Sequence, residues 1–593
     1  MERVGLIDGL EPGTTSSFRV VLQDDVVVQL DDLLVTQQKL PDGSLHRTYG
    51  LVAEVYSRLE GASFLSDTAR ISQDQTMPGQ AIRYADVRVL RHVPELYVPP
   101  QSGAEVCKAA GELRREALYE DQMGKGVAVA LDQSGMPVQV DLEFLDGTRG
   151  GHVSISGVSG VATKTSFALH LLYTLMESPQ GRQALGVHAA STRALVFNVK
   201  GEDLLHFDQP SRRYSERLAA NPELAEQWRR LGIEDPGPFR SVAFYAPISR
   251  QAGATVMTDV NSRSGGSLRT YGWPPLDFVR QGLLRFCFAD ADDGRNQLSF
   301  VEQRVRVQLA RWAHPSLEHP GAVVMIPPEH GCSFNLEKLV TQKRPARPAG
   351  EGTLCRNLVD ILDFLENQFE VNLNEWAGNT QANTVNAFLR RLQAMAPRFG
   401  HLISDRVTSL QLEGPLAPQE NVVVVDIHNL HDDGQRFVVG TLLSSVFAAK
   451  ERGQRFPLHF VVLDELNKYA PRQGSSPLKE VLVDIAARGR SLGVLLIGAQ
   501  QSASDVEPTV VRNAAIRVVG RLDSGESTAD FYRFLTPALR ERAIRLLPGT
   551  MILDQPLVPS PLPIRFPFPN YATRHDELPD MSEEESQDLF TFR

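Results

Sequence analysis

The chain has 593 residues, too many for one hydrophobic core, and several domains are expected. A hydrophobic content of 42% with 22% charged residues belongs to an ordinary globular protein and excludes wholesale disorder, and no apolar run is long enough to cross a bilayer. A net charge of −11 excludes a generally basic, nucleic-acid-coating surface, though not a local basic strip or a ring of residues repeated by symmetry.

The opening MERVGLIDGLEPG lacks the basic and apolar segments of a signal peptide, so a cytoplasmic location is expected. Cys107, Cys287, Cys332 and Cys355 lie far apart with no C-x-x-C pair, which points to free thiols rather than a zinc site or a disulfide framework.

From the start to about Ala85 the chain offers short β-branched runs, VGLI, SFRVVL, DDVVVQL, LLVTQ and RTYGLVAEVYS, separated by turn sequences such as KLPDGS. With ADVRVLRHV they make about six strands, and closing them into a small barrel removes the exposed edges. This module carries no catalytic constellation and reads as a docking or assembly unit. The next stretch, to residue 150, contains the amphipathic segment GAEVCKAAGELRREALY and a hairpin around Gln133-Ser134-Gly135.

HVSISGVSGVATKTSFALHLLYTL, from His152 to Leu175, reads as a short strand, a glycine-punctuated loop and an apolar helix. Glycines let successive backbone N–H groups wrap a phosphate, a lysine meets the terminal phosphates, and a hydroxyl serves Mg²⁺. Ser159, Gly160, Val161, Ala162, Thr163, Lys164, Thr165 and Ser166 form the candidate loop, with the helix N-terminus adding partial positive charge. Thr163 stands where the pattern has its last glycine, and the interval from Gly157 to Lys164 is one residue long. The same residues also suit a plain serine- and glycine-rich turn.

TRALVFNVKGEDLLHF supplies a second buried strand, and strand–helix–strand implies a parallel α/β sheet. Glu202 sits at that strand's carboxyl end, where α/β ligand sites gather, and it reads equally well as a solvated turn carboxylate. Between Leu204 and about Glu420 the pattern is helical, for example LSFVEQRVRVQLARWA and NTVNAFLRRLQAMAPRF, and reads as a helical insertion. The sheet resumes at NVVVVDIHNL. FPLHFVVLDELNKYAP then places Asp464 and Glu465 directly after an apolar strand, where adjacent carboxylates are costly unless a charge or water meets them. Beside a phosphate loop such a pair is a Walker B motif: the first carboxylate serves Mg²⁺ and the second the attacking water. LGVLLIGAQ ends at Gln500, a candidate γ-phosphate sensor, and Arg488 and Arg490 precede it. The tail DELPDMSEEESQDLFTFR is acidic and reads as an interaction arm or a frayed end.

Taken in order, SGVSGVATKT, FNVKGED, VVLDELNKYAP, AARGRSLGVLLIGAQQSASDV and IRVVGRL resemble the HerA family of the HerA/FtsK superfamily over nearly the whole chain. The resemblance implies an α/β fold: a RecA-like P-loop ATPase core with an N-terminal small β-barrel and a helical-bundle insertion. The corresponding division is barrel 1–102, first core part 103–203, insertion 204–420, second core part 421–570 and acidic tail 571–593. It further implies ATP and Mg²⁺, a homo-hexamer that moves double-stranded DNA, and a NurA-like nuclease partner in DNA end resection and double-strand break repair.

Lys164 and Thr165 fall in the P-loop, Asp464 and Glu465 in Walker B with Thr165 and Asp464 on the metal, Gln500 on the sensor strand, and Arg490 on a catalytic arginine of that family. Arg149 corresponds to an arginine that reaches a neighbour's nucleotide. The family's usual D-P-H-G-E-Y is NVKGED here, which keeps Glu202 while Asn198, Lys200 and Asp203 depart. Lys468 and Arg472 are the candidate DNA contacts. Alternatives are a catalytically weak or inactive ring scaffolding a nuclease or anti-phage effector, and, last, a DNA-transfer pump of the membrane-anchored coupling type.

Overall fold

The computed structural model describes residues 2–158, 160, 164–251, 257–263, 267–288, 297–329 and 332–579. Strands β1 (Arg3–Ile7), β2 (Ser17–Leu22), β3 (Leu33–Lys39), β4 (Leu45–Glu60), β5 (Gln80–Val93) and β6 (Glu105–Lys108) form a closed barrel in the order β1-β2-β5-β4-β3-β6. Alternation aims Val4, Phe18, Val20, Leu34, Val52, Val87 and Val106 inward. The barrel closes through β6, which pairs with both β1 and β3. It therefore extends past residue 102, because the segment read as one amphipathic stretch divides into β6 and the helix Glu112–Ala117. DDVVVQL is not a strand; Val26 and Val28 instead pack into the barrel core.

The remaining chain builds a twelve-stranded sheet. It uses β7 (Gly126–Leu131), β8 (Pro137–Asp141), β9 (Val153–Ser156), β10 (Arg193–Asn198), β11 (Val242–Pro247) and β12 (Leu268–Tyr271). Strands β13 (Ala313–Pro315), β14 (Val323–Met325) and β15 (Thr353–Cys355) form a separate three-stranded sheet. β16 (Val422–Asp426), β17 (His459–Leu463), β18 (Val494–Gln500), β19 (Ile516–Val519), β20 (Thr550–Asp554) and β21 (Leu562–Arg565) complete the large one. Its order is β12-β11-β16-β10-β17-β18-β9-β19-β20-β21-β7-β8, parallel from β12 to β19 and antiparallel beyond.

Both faces of the parallel part are covered, which is why its strands read as unbroken apolar runs. Val423, Val425, Val461 and Leu463 face one core and Val422, Val424, Phe460 and Val462 the other. The stretch 204–420 is not purely helical: β11 and β12 extend the large sheet beside β16. For β12 the missed signal is shortness, since LRTY alternates no further than four residues. The insertion's helices Gln297–Trp312, Leu358–Val371 and Leu373–Ala377 meet at Trp312, Phe364 and Trp376, and Phe388 of Ala382–Phe399 packs on Phe369.

Residues 571–579 pack onto the core rather than trailing from it: Tyr571 is buried against Tyr173 and Phe239, and Arg213 pairs with Asp576 and Glu577. The rest of the acidic tail lies outside the described residues. Among the described residues no helix is long and apolar enough to cross a membrane.

Candidate active site

The site lies at the carboxyl ends of β10, β17, β18 and β9. β18 separates the loop strand β9 from the carboxylate strand β17, so a group between the first and the third can meet the end of the second. After Ser156 the chain leaves β9 with the Gly157 N–H donating to the Gln500 carbonyl (3.2 Å) and the Val158 N–H to that of Arg521 (2.8 Å). Gly160 has φ +84°, a conformation that disfavours any side chain. The helix Lys164–Met176 starts at once. Of the candidate loop, Ser159, Val161, Ala162 and Thr163 lie outside the described residues.

Lys164 is only 3% exposed, and its Nζ donates to the Gly157 carbonyl at 2.6 Å. Burial pushes its pKa below the ordinary lysine value against the pull of Asp464 and Glu465. Thr165 Oγ1 donates to Asp464 Oδ2 at 2.9 Å, and Asp464 Oδ1 accepts from the Glu465 N–H at 2.8 Å. Glu465 has φ +54°, left-handed backbone that costs a non-glycine residue about 1 kcal/mol or more, at the entry to the short helix Leu466–Tyr469.

That turn brings Glu465 Oε1 within 3.0 Å of Lys200 Nζ, which also lies 3.6 Å from Asp464 Oδ2. Burial presses the Lys200 pKa down, but Asp464 and Glu465 together carry it above the ordinary value. A cavity of about 290 Å³ opens between the two lysines, with Thr165, Ser166, Asn198, Asp203, Asp464, Thr573 and Arg574 on its walls.

The other sequence candidates distribute unevenly. Gln500 is fully buried, its Nε2 donating to Ser154 Oγ (2.7 Å) and Ser156 Oγ (2.9 Å), while its Oε1 has no partner among the described residues. Glu202 does not line the cavity and accepts from the N–H groups of Asn261 (3.0 Å) and Ser262 (2.7 Å). Burial raises its pKa, and those bonds with the Ser262 hydroxyl reverse the shift to a net lowering. The next residue, Asp203, lines the cavity instead.

Arg149 and Arg490 are at the other end of the sheet. Arg490 packs beside Gly151, just ahead of β9, where a Cβ would meet its Cβ at 3.5 Å. Arg149 lies 3.7 Å from Asp141 and 3.8 Å from Glu143, over the Phe144 ring. A four-residue strand, about 13 Å long, stands between them and the loop. Lys468 is held by Asp432 (2.6 Å) and Gln435 (2.8 Å), whereas Arg472 is exposed, its side chain donating to the Ser504 carbonyl at 3.4 Å.

Lys200 is what motif reading leaves unassigned, since it counts there as a departure from a pattern. Its position one residue beyond the last buried residue of β10's run, next to the carboxylate strand, is the signal that finds it. Thr573 and Arg574 are hidden by more than 400 residues of separation from the loop, and no local pattern marks them.

No protein-family model matches the chain, and no curated protein matches it. Solved structures to which it is similar include VirB4 of Thermoanaerobacter pseudethanolicus, at 15% identity and TM-score 0.42 over 78% of this chain and 98% of that one. The plasmid coupling protein TrwB in complex with ADP and Mg²⁺ is similar at 12% identity and TM-score 0.45 over 79% and 95%. The genome packaging NTPase B204 from Sulfolobus turreted icosahedral virus 2, in complex with ATP-gammaS, is similar at 16% identity and TM-score 0.20 over 25% and 70%.

Proposed function

We propose that the chain is an ATPase whose hydrolysis drives movement along double-stranded DNA, acting as a ring with a nuclease partner of the NurA kind at broken ends. The observation that carries the enzymatic part is the meeting of Lys164, Thr165 and Asp464 at one cavity from segments some 300 residues apart, with Glu465 next to Asp464 and paired with Lys200 of the cavity wall. The motor role, the six-membered ring and the nuclease rest on the order of motifs in the sequence.

The donor set suits Mg²⁺. A hydroxyl oxygen and a carboxylate oxygen already converge within 2.9 Å at the cavity wall, both hard ligands. Thr165 and Asp464 would hold the ion, which when bound neutralises charge on the nucleotide's phosphates. Lys164, desolvated beside the loop, exchanges its bond to the Gly157 carbonyl for a phosphate oxygen. Buried cations act strongly on nearby charge because little water screens them. Glu465 is the carboxylate placed to orient a water and accept its proton. Gln500, with a free Oε1 at the end of β18, ties the loop strand to the sensor strand.

A nucleotide-binding ring that scaffolds a partner is the second reading, favoured by Thr163 in place of the loop's last glycine. ATP turnover with and without linear duplex DNA, beside native mass with and without nucleotide, separates the two. DNA-stimulated turnover in a ring supports the motor; nucleotide binding without turnover supports the scaffold.

A further inference from the structure

Lys200 is the second lysine of the cavity and stands opposite the first. Lys164 reaches in from the loop helix, and Lys200 from the turn that follows β10. That turn is built to aim it. Asn198 Nδ2 donates to the Gly201 carbonyl (2.7 Å) and to Asp426 Oδ1 (2.7 Å), which fixes the turn to the end of β16, and Gly201 has φ +53°. The ammonium so placed touches Glu465 at 3.0 Å and Asp464 at 3.6 Å.

An ammonium this close occupies a carboxylate oxygen that would otherwise be turned towards a water. Lys200 therefore restrains the group assigned to the attacking water. The restraint is also easily moved. The Lys200 side chain is 45% exposed on four rotatable bonds, unlike buried Lys164. A terminal phosphate brings more negative charge than one carboxylate and accepts from an ammonium at any of three oxygens.

We propose that Lys200 is a positioning residue that reads the terminal phosphate: it holds Glu465 while no triphosphate is bound, and turns to the terminal phosphate when one is, which frees Glu465. This rests on the nucleotide-site reading above and adds discrimination of triphosphate from diphosphate. A diphosphate leaves Lys200 on the carboxylate pair and Glu465 restrained.

The test is equilibrium binding of a non-hydrolysable ATP analogue and of ADP, with Mg²⁺, to the full-length protein. Wild type, K200A, K200R, E465Q and K200A/E465Q are compared. The loss of one charge-assisted bond predicts that K200A weakens the ATP analogue about tenfold or more while ADP changes less than about threefold. K200R, which keeps the charge, retains the preference and shows that the turn folds.

E465Q frees Lys200 from its nearer partner and tightens the ATP analogue, and K200A/E465Q loses that gain. Equal weakening of both nucleotides by K200A, or none, overturns the proposal and leaves the nucleotide site standing. A gain in E465Q that survives in the double variant overturns it as well. A wild-type protein that binds neither nucleotide overturns the site reading and this proposal together.

Discussion

Thr165 Oγ1 donates to Asp464 Oδ2 at 2.9 Å, across 299 positions of sequence. The bond crosses over the end of β18 and joins the first turn of the loop helix to the end of β17, so this one bond reports whether the two motifs are assembled. The same two oxygens are the pair offered to Mg²⁺. Asp464→Asn is expected to raise the Mg²⁺ concentration needed for half-maximal ATP binding by about tenfold, the scale set by removing one charged ligand. A Mg²⁺ titration of ATP affinity checks this, and an unchanged midpoint removes Asp464 from the metal site.

Lys164→Ala and Glu465→Gln should fail differently. Lys164 Nζ is bonded to the loop's Gly157 carbonyl and on the proposed reading serves binding, so its loss is expected to abolish measurable ATP affinity. Glu465→Gln keeps its size and its unusual backbone but loses the proton acceptor. Turnover should fall about 10²–10³-fold while ATP still binds. Steady-state hydrolysis beside equilibrium binding distinguishes the two, and wild-type turnover in either removes the enzyme reading.

The central strands are legible in the sequence because burial on both faces leaves runs such as VVVVD and HFVVL that no turn or amphipathic helix imitates. Asp464 and Glu465 are legible for the complementary reason, that two charges directly after such a run need a partner. The partner itself is not. That Lys200 meets them depends on β10 lying next to β17, and adjacency in a parallel sheet with long crossovers is a property of topology rather than of local pattern. Glu202 shows the reverse case. Its position at a strand end is right for a ligand, yet the backbone of Asn261 and Ser262 captures its carboxylate. Strand β6 escapes notice because four residues, EVCK, carry too little alternation to tell a strand from the start of a helix.

DNA binding is expected to fall steeply with salt and to show little sequence preference, since phosphates are the groups a moving ring can grip anew at every step. The two candidate DNA-binding residues should part company. Arg472 is exposed, and Arg472→Ala is expected to weaken binding and reduce the salt slope by about 1. Lys468 is committed to Asp432 and Gln435, so Lys468→Ala should lower thermal stability more than DNA affinity. Fluorescence anisotropy across a salt series measures both, and a larger DNA defect in Lys468→Ala contradicts the assignment.

Stability should decline in mild acid. His152 and His170 are buried, and desolvation lowers each from the usual histidine value of 6.5 to about 4. His152 Nδ1 accepts from the Leu496 N–H at 2.9 Å, and His170 Nε2 lies 2.9 Å from the Val129 carbonyl and donates to it. Because the unfolded chain binds the proton first, their contribution is intact above pH 6.5 and is lost as pH falls from 6.5 towards 4. The slope is about 1.4 kcal/mol per pH unit for each histidine within that window. Melting temperatures between about pH 7.5 and 4.5, which bracket that window, test this. His170→Gln should flatten the dependence; an identical slope in that variant assigns the acid loss to other groups.

A ring whose sites are completed between subunits requires a cation that its own subunit cannot use. Arg490 and Arg149 meet that condition geometrically, since both sit at the amino ends of the strands while the nucleotide cavity is at the carboxyl ends. They differ in how free they are. Arg149 is shared with Asp141 and Glu143 and lies over Phe144, whereas Arg490 is exposed and makes no ion pair among the described residues. Drawing Arg149 away would leave the fully buried Asp141 short of a positive neighbour, a cost Arg490 does not carry. Arg490 is therefore the expected trans residue. Arg490→Ala alone and Lys164→Ala alone should each be inactive, while an equal mixture pairs an intact loop with an intact arginine at about a quarter of interfaces and regains activity in that proportion. Mixed rings confirmed by native mass but still inactive would exclude Arg490, and recovery in the corresponding Arg149→Ala mixture would place the trans contact there.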